Sequence, residues 1–341
     1  MAKQQRPIPR VTTTATQNAN RPVPPKAKVR GGQLAAPKPA TLGTWIAGAR
    51  PQTLVLAIVP VALGTAAAAQ ETAHWYDHWV RALLALAVAA FLQIGVNYAN
   101  DYSDGVRGTD RDRVGPQRLV GSGRAKPRTV LTVALVFFGL AAVAGLVLVW
   151  RTEQWWLLAV GALALLAGWF YTGGRRPYGY LGLGEVAVFL FFGIVPTAGT
   201  MFVQVLEVNV EAWLAGAAAG ALACAVLVAN NARDREKDKL HGKRTLAVLL
   251  GDVGTRVLFV VLILVPFGIL AFFAIFYEPG SGSGFAPYVY FAGVAALPAI
   301  LIAITGRTAR EWVFVMQLTL ATALLYGLGL SAAIVFPAAL T

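Results

Sequence analysis

The amino-acid sequence predicts an all-α, multi-span membrane protein with nine transmembrane helices. Three observations carry this. Hydrophobic residues make up 57% of the 341 and charged residues only 13%, roughly half the charged share of a water-soluble domain. The apolar residues gather into nine runs of roughly 18 to 25, each long enough to cross a hydrocarbon core of about 30 Å as a helix. Of the 29 Lys and Arg, all but Arg81 and Arg151 fall before the first run or in alternate loops, as in a polytopic protein with one basic face.

Residues 1–43 are rich in Pro, Thr, Gln and Ala with scattered Lys and Arg and show no apolar periodicity, so they are expected to form a disordered basic tail. No apolar run follows a short basic start, so the tail is expected to be retained. Residues 44–341 form the membrane domain, with spans expected near 51–70, 80–101, 129–150, 154–172, 184–206, 211–232, 255–277, 286–305 and 313–337. Only a few residues around Arg151 separate the third and fourth, which makes them a tight antiparallel hairpin. The basic face is cytoplasmic by the positive-inside rule, which puts the N-terminus inside the cell membrane and the C-terminus outside. The single cysteine, Cys224, lies in an apolar run without a partner for a disulfide or a thiolate metal site. No nucleic-acid motif accompanies the net charge of +13.

Two acidic strings stand where apolar runs end: NYANDYSD at 97–104 and NNARDREKD at 230–238. On a helix Asn97, Asp101 and Asp104 share one face, as do Asn230, Asp234 and Asp238. An offset of 133 residues aligns Asn97 with Asn230 and Asp101 with Asp234, an internal echo that fits two related halves around one cavity. Paired carboxylates at a membrane edge suit Mg²⁺ shared with substrate phosphates, and two ions are expected. The scarcity of His and Cys argues against zinc. The first cluster opens into GVRGTDRDRVGPQRLVGSGRAKPR at 105–128, and Lys243, Arg244 and Thr245 follow the second. Arg107, Arg118, Lys243 and Arg244 are therefore candidate diphosphate contacts. A third segment on the same face, YTGGRRPYGYLGLGE at 171–185, offers Tyr171, Arg176, Tyr178 and Glu185 to an anionic, ring-bearing acceptor.

With these strings, residues 44–338 resemble the UbiA superfamily of intramembrane prenyltransferases, whose members have nine helices and two Asp-rich motifs. NDYSDGVRGTD, GPQRLVGSG, YTGGRRPYGYLGLGE and NNARDREKD followed by GKRTLAV are similar to the 1,4-dihydroxy-2-naphthoate polyprenyltransferases of menaquinone synthesis. Relatives that use 4-hydroxybenzoate or make haem O tend to carry an RPL-type string where this chain has Gln117, Arg118 and Leu119. The resemblance implies Mg²⁺-dependent transfer of a polyprenyl chain from its diphosphate to 1,4-dihydroxy-2-naphthoate, with loss of CO2 and diphosphate, at the bilayer. Asp101, Asp104, Asp234 and Asp238 would be catalytic. The family pattern N-x-x-x-D-x-x-x-D meets Gly105 where its second Asp belongs, so Asp104 or Asp110 is the expected replacement ligand. Other aromatic acceptors, such as 4-hydroxybenzoate or homogentisate, and transport of an anionic substrate are the rival readings. Asp101→Ala or Asp234→Ala is expected to abolish turnover without unfolding the protein.

Overall fold

The computed structural model describes residues 39–72, 78–109, 118–276 and 283–335. Asp110, Gln117 and the tail before residue 39 lie outside the described residues. The described residues contain helices and no strand. In chain order the helices are α1 (Leu42–Ala49), α2 (Val55–Glu71), α3 (Trp79–Arg107), α4 (Pro127–Thr152), α5 (Leu157–Phe170), α6 (Gly184–Phe189), α7 (Val195–Val205), α8 (Val210–Leu240), α9 (Leu246–Phe276), α10 (Gly293–Thr305) and α11 (Ala309–Val335).

The local sequence accounts for the ends. The Thr41 hydroxyl caps α1 by accepting from the Thr44 amide, and the Asn209 side chain accepts from the Ala212 amide at 2.9 Å to start α8. Pro127 opens α4, and Gly108, at φ 77°, ends α3 in the left-handed conformation. The first apolar stretch begins at Leu42, before the expected residue 51, because Arg50 turns left-handed and Pro51–Leu54 carries α1 into α2 through a 3-10 turn. A non-helical Gly251, at φ 70°, interrupts α9 near its start.

Each expected apolar run contains a helix. Eight stretches among the described residues are long and apolar enough to cross a membrane. The fourth, α5, has 14 residues, about 21 Å of rise against a core of about 30 Å. It is short because Glu153 caps α4 late and the turn that ends at the left-handed Gly174 stops α5 early.

Two apolar clusters hold the bundle. The larger joins α2, α8, α9, α10 and α11 around Leu222, Phe259, Ile263, Leu270, Tyr326 and Leu330. The smaller joins α3, α4 and the loop between them through Tyr98, Leu119, Val130, Ala134 and Phe138. α8 is the most enclosed span, with 78% of its apolar window buried. Its small residues permit this: a Cβ on Gly193, in the π-helical turn Leu190–Ile194, would stand 2.3 Å from the Gly220 Cα. Both acidic strings lie at the same end of the bundle. At the opposite end Trp79, Trp150, Trp155, Trp156 and Trp213 are exposed, as in a membrane-interface belt.

Candidate active site

A cavity of about 550 Å³ runs between α3, α4, α5, the α6–α7 span and α8. Its walls are mostly alkyl, including Val88, Leu92, Val96, Leu165, Val195 and Leu227. Its polar residues gather at the carboxylate end: Asn97, Asn100, Asp104, Arg118, Asn230, Asp234, Asp238 and Lys243 all line it. Helical spacing does this on α3, where Asn97, Asn100 and Asp104 descend one face.

Lys243 joins the two acidic strings. Its ammonium is 3.3 Å from Asp104 of α3 and 3.8 Å from Asp238 of α8. It also lies 4.5 Å above the centre of the Tyr180 ring, while the Arg107 guanidinium stands 5.5 Å from the same ring. The Tyr180 hydroxyl donates to Asp104 at 2.5 Å. Burial first, and then the Asp104 charge, keeps that hydroxyl protonated well above the ordinary tyrosine range. Arg118 reaches Asp104 at 4.0 Å from the other side.

The other carboxylates differ. Asp101 is 1% exposed, does not line the cavity, and accepts the backbone amides of Leu119 and Val120 at 2.8 and 3.0 Å. It thereby clamps the loop that carries Arg118. Gly105 makes the clamp possible, because a Cβ there would come within 2.4 Å of Val120 Cγ1. This explains the departure from the family pattern at that position: the loop rests where a second aspartate would stand. Asp234 is held by two bonds from its neighbour Arg233, at 2.9 and 2.6 Å, and Arg233 also donates to Asn230 at 2.8 Å. The echo between the strings thus ends in unlike surroundings, backbone amides for Asp101 and a guanidinium for Asp234.

On the loop between α5 and α6, Tyr171 and Tyr178 line the cavity edge to face, with ring centres 5.7 Å apart. The Tyr178 hydroxyl donates to the Ala167 carbonyl at 2.7 Å, and burial pushes its pKa up to about 12. Beside them the Thr172 hydroxyl donates to Asn100 at 2.6 Å. Glu185 is buried outside the cavity lining and accepts at 3.1 Å from Asn231, which lines it. Cys224 donates to the Glu185 carbonyl, the packing role its apolar run suggests.

Three basic residues chosen from the sequence do not line the cavity: Arg107, Arg176 and Arg244. Arg107 donates to the Thr172 and Gly174 carbonyls, and the Arg244 amide donates to the Tyr180 carbonyl at 3.0 Å. Both therefore brace the tyrosine-bearing loop, whereas Arg176 is exposed on it. The residue that sequence reasoning passed over is Tyr180. It lies in the third segment, but no spacing rule separates it from Tyr171 and Tyr178. Asn100, Thr172 and Asn231 were also passed over, being neutral residues within strings read for their charges.

Residues 57–321 match the model of the UbiA prenyltransferase family. The protein is 48% identical over 297 residues to the 1,4-dihydroxy-2-naphthoate octaprenyltransferase of Mycobacterium tuberculosis, covering 87% of this chain and 98% of that one. The enzyme of the same name from Escherichia coli is 39% identical, over 62% of this chain and 70% of that one. Among solved structures, the fold is shared with an apo UbiA homolog from Aeropyrum pernix K1, with a TM-score of 0.62 at 16% identity over 81% of this chain and 96% of that one. It is shared too with a UbiA homolog from Archaeoglobus fulgidus bound to DMAPP and Mg²⁺, with a TM-score of 0.56 at 17% identity over 82% and 97%. An α-helical bundle with both acidic strings at one end of an apolar cavity, matched over most of its length, places this protein in the UbiA prenyltransferase family.

Proposed function

We propose that this protein transfers a polyprenyl chain from polyprenyl diphosphate to 1,4-dihydroxy-2-naphthoate, releasing CO2 and diphosphate and forming the hydroquinone of demethylmenaquinone. The observation that carries the reading is Lys243 bridging Asp104 and Asp238 at the polar end of a cavity whose remaining walls are mostly apolar. The naphthoate as acceptor is supported by the names of the relatives described above.

The donor set suits Mg²⁺. Asp104, Asp234 and Asp238, with the amide oxygens of Asn97 and Asn230, are hard oxygen ligands, and no His or Cys lines the cavity. Among the described residues no three His, Cys, Asp or Glu side chains stand close enough to cage an ion. A site of this kind leaves coordination positions to water and phosphate oxygens, which is how Mg²⁺ is commonly held. We assign two ions, because the carboxylates divide between α3 and α8. When bound, Mg²⁺ supplies positive charge that offsets the charge growing on the departing diphosphate.

The protein's own residues do the rest. Lys243 and Arg118 take diphosphate oxygens, and Asp101 holds the loop that presents Arg118. Tyr171 and Tyr178 flank the acceptor ring, Arg176 attracts the aromatic acid from solution, and Glu185 fixes Asn231. As the allylic C–O bond breaks, its electron pair leaves with the diphosphate; the electron-rich ring captures the allylic cation, and the bond to the carboxylate then breaks, releasing CO2 and returning its electron pair to the ring. The alkyl walls exclude the water that would otherwise quench it. By the charge distribution, this end of the bundle faces the cytoplasm.

The test is a mass-spectrometric assay of the purified protein in detergent with a polyprenyl diphosphate and either 1,4-dihydroxy-2-naphthoate or 4-hydroxybenzoate, with Mg²⁺ or EDTA. Metal-dependent product from the naphthoate alone is expected, detected as demethylmenaquinone after air oxidation of its hydroquinone. Product from hydroxybenzoate alone replaces the acceptor, and no product from either removes the reaction.

A further inference from the structure

The cavity is much longer than its polar end requires. On α3 its lining extends from Asp104 to Ala85, nineteen residues and about 28 Å of helical rise. A geranyl tail, with about seven carbon–carbon bonds along its length, extends at most about 9 Å, whereas an octaprenyl tail extends about 37 Å. The far half of the chamber therefore meets only long tails.

Three glycines line that half from three different helices: Gly145 on α4, Gly161 on α5 and Gly199 on α7. Each lies a few residues from the end of its helix that is remote from the carboxylates: Thr152 for α4, Leu157 for α5 and Val205 for α7. Those intervals correspond to about 10, 6 and 9 Å of rise, so the three stand at a similar depth. No packing requirement explains them. A Cβ on Gly161 or Gly199 would meet nothing within 4 Å, and one on Gly145 would meet only Val88 Cγ2 at 3.8 Å. Glycines that serve close packing here read differently: a Cβ on Gly64, Gly193 or Gly327 would stand 2.2 or 2.3 Å from its neighbour. Nor does helix propensity favour them, since glycine is a poor helix former. What the three have in common is a place in the chamber wall and open space around the built Cβ.

We propose that Gly145, Gly161 and Gly199 keep the far half of the chamber open for the distal isoprene units and so set how long a prenyl tail the protein accepts. This deepens the proposed prenyl transfer and rests on it for the identity of the ligand. Side chains added at these positions would project into the tail's path, while the diphosphate end would keep its geometry.

The test compares Gly145→Leu, Gly161→Leu and Gly199→Leu with wild type and with Gly139→Leu. Gly139 also has nothing within 4 Å of a built Cβ but does not line the cavity, so its variant carries the same load on the outer face of α4. Dissociation constants are measured by calorimetry in detergent with Mg²⁺ for geranyl and octaprenyl thiolodiphosphates, which bind without reacting. The expected result is a loss of about tenfold in the preference for octaprenyl over geranyl in each chamber variant, and none in Gly139→Leu. An unchanged preference in the chamber variants, or an equal loss in Gly139→Leu, overturns the proposal. Should a leucine variant fail to fold, the alanine at the same position is read for a smaller shift in the same direction, whose absence is equally fatal. Turnover with the naphthoate is measured separately. Binding selectivity that shifts without any turnover keeps the chamber assignment and removes the reaction, whereas normal turnover with unshifted selectivity does the reverse.

Discussion

The Tyr180 hydroxyl donates to Asp104 at 2.5 Å, and this one bond ties the loop between α5 and α6 to the carboxylate that Lys243 also contacts. Tyr180→Phe removes the bond and keeps the ring between Lys243 and Arg107. Hydrogen bonds to charged groups contribute about 1.5–3 kcal/mol, so kcat/KM for the prenyl diphosphate should fall roughly ten- to hundredfold. Thermal stability in detergent should change little, because the ring contacts survive. Steady-state kinetics equal to wild type would mean that Asp104 is held well enough without it.

Asp101 and Asp104 should fail differently despite lying one turn apart. Asp104→Asn removes charge from the cavity and is expected to abolish turnover while the unfolding temperature stays near wild type. Asp101→Ala instead releases one buried and one part-buried amide, at a cost of about 2 kcal/mol, and frees the loop around Arg118. Limited tryptic cleavage in that loop should rise in Asp101→Ala and not in Asp104→Asn. The reverse pattern would exchange the two roles.

Asp234→Ala will not be the clean catalytic knockout that the sequence suggests. The Arg233 side chain is 2% exposed and owes two hydrogen bonds to Asp234. Removing one partner of such a pair strands a buried charge and costs about 3 kcal/mol or more. Circular-dichroism melting should therefore show Asp234→Ala well below Asp234→Asn, although neither turns over. Equal melting temperatures would show that Arg233 finds another partner.

Gly105→Ala is expected to displace the loop through Val120 and to lower activity. Because the clash is with both Cγ1 and Cβ of Val120, at 2.4 and 2.5 Å, Val120→Gly in the same protein should restore part of the loss. A double-mutant cycle on activity reads this directly. Strict additivity would disprove the contact.

The membrane class, the helices and the two acidic strings were legible because composition, run length and helical spacing are local properties. The clustering of Asn97, Asp104, Asn230, Asp234 and Asp238 at one end of the cavity follows from that same regularity. The division of labour inside the site was not legible. Asp101 reads like Asp104 on paper, and only the returning loop, which brings the Leu119 and Val120 amides, separates them. Arg107 and Arg176 read alike too, until tertiary folding gives the first a pair of backbone carbonyls. The length of α5 was misjudged because hydropathy extends past the residues that remain helical. Neither the glycines around 173 nor the left-handed Glu153 alters an apolar average.

The short α5 has a consequence for the surrounding lipid. A helix rising about 21 Å beside neighbours that span the full slab creates local hydrophobic mismatch, relieved by drawing the two leaflets toward each other at a cost of fractions of a kcal/mol per ångström. The dimple falls along the wall that α5 contributes to the cavity. Bilayer thinning there would lower the elastic resistance to a long lipid tail entering beside this helix. Thickness of the host bilayer thereby becomes a variable of the enzyme, and reconstitution into phosphatidylcholines of increasing acyl length should register it as a graded change in rate.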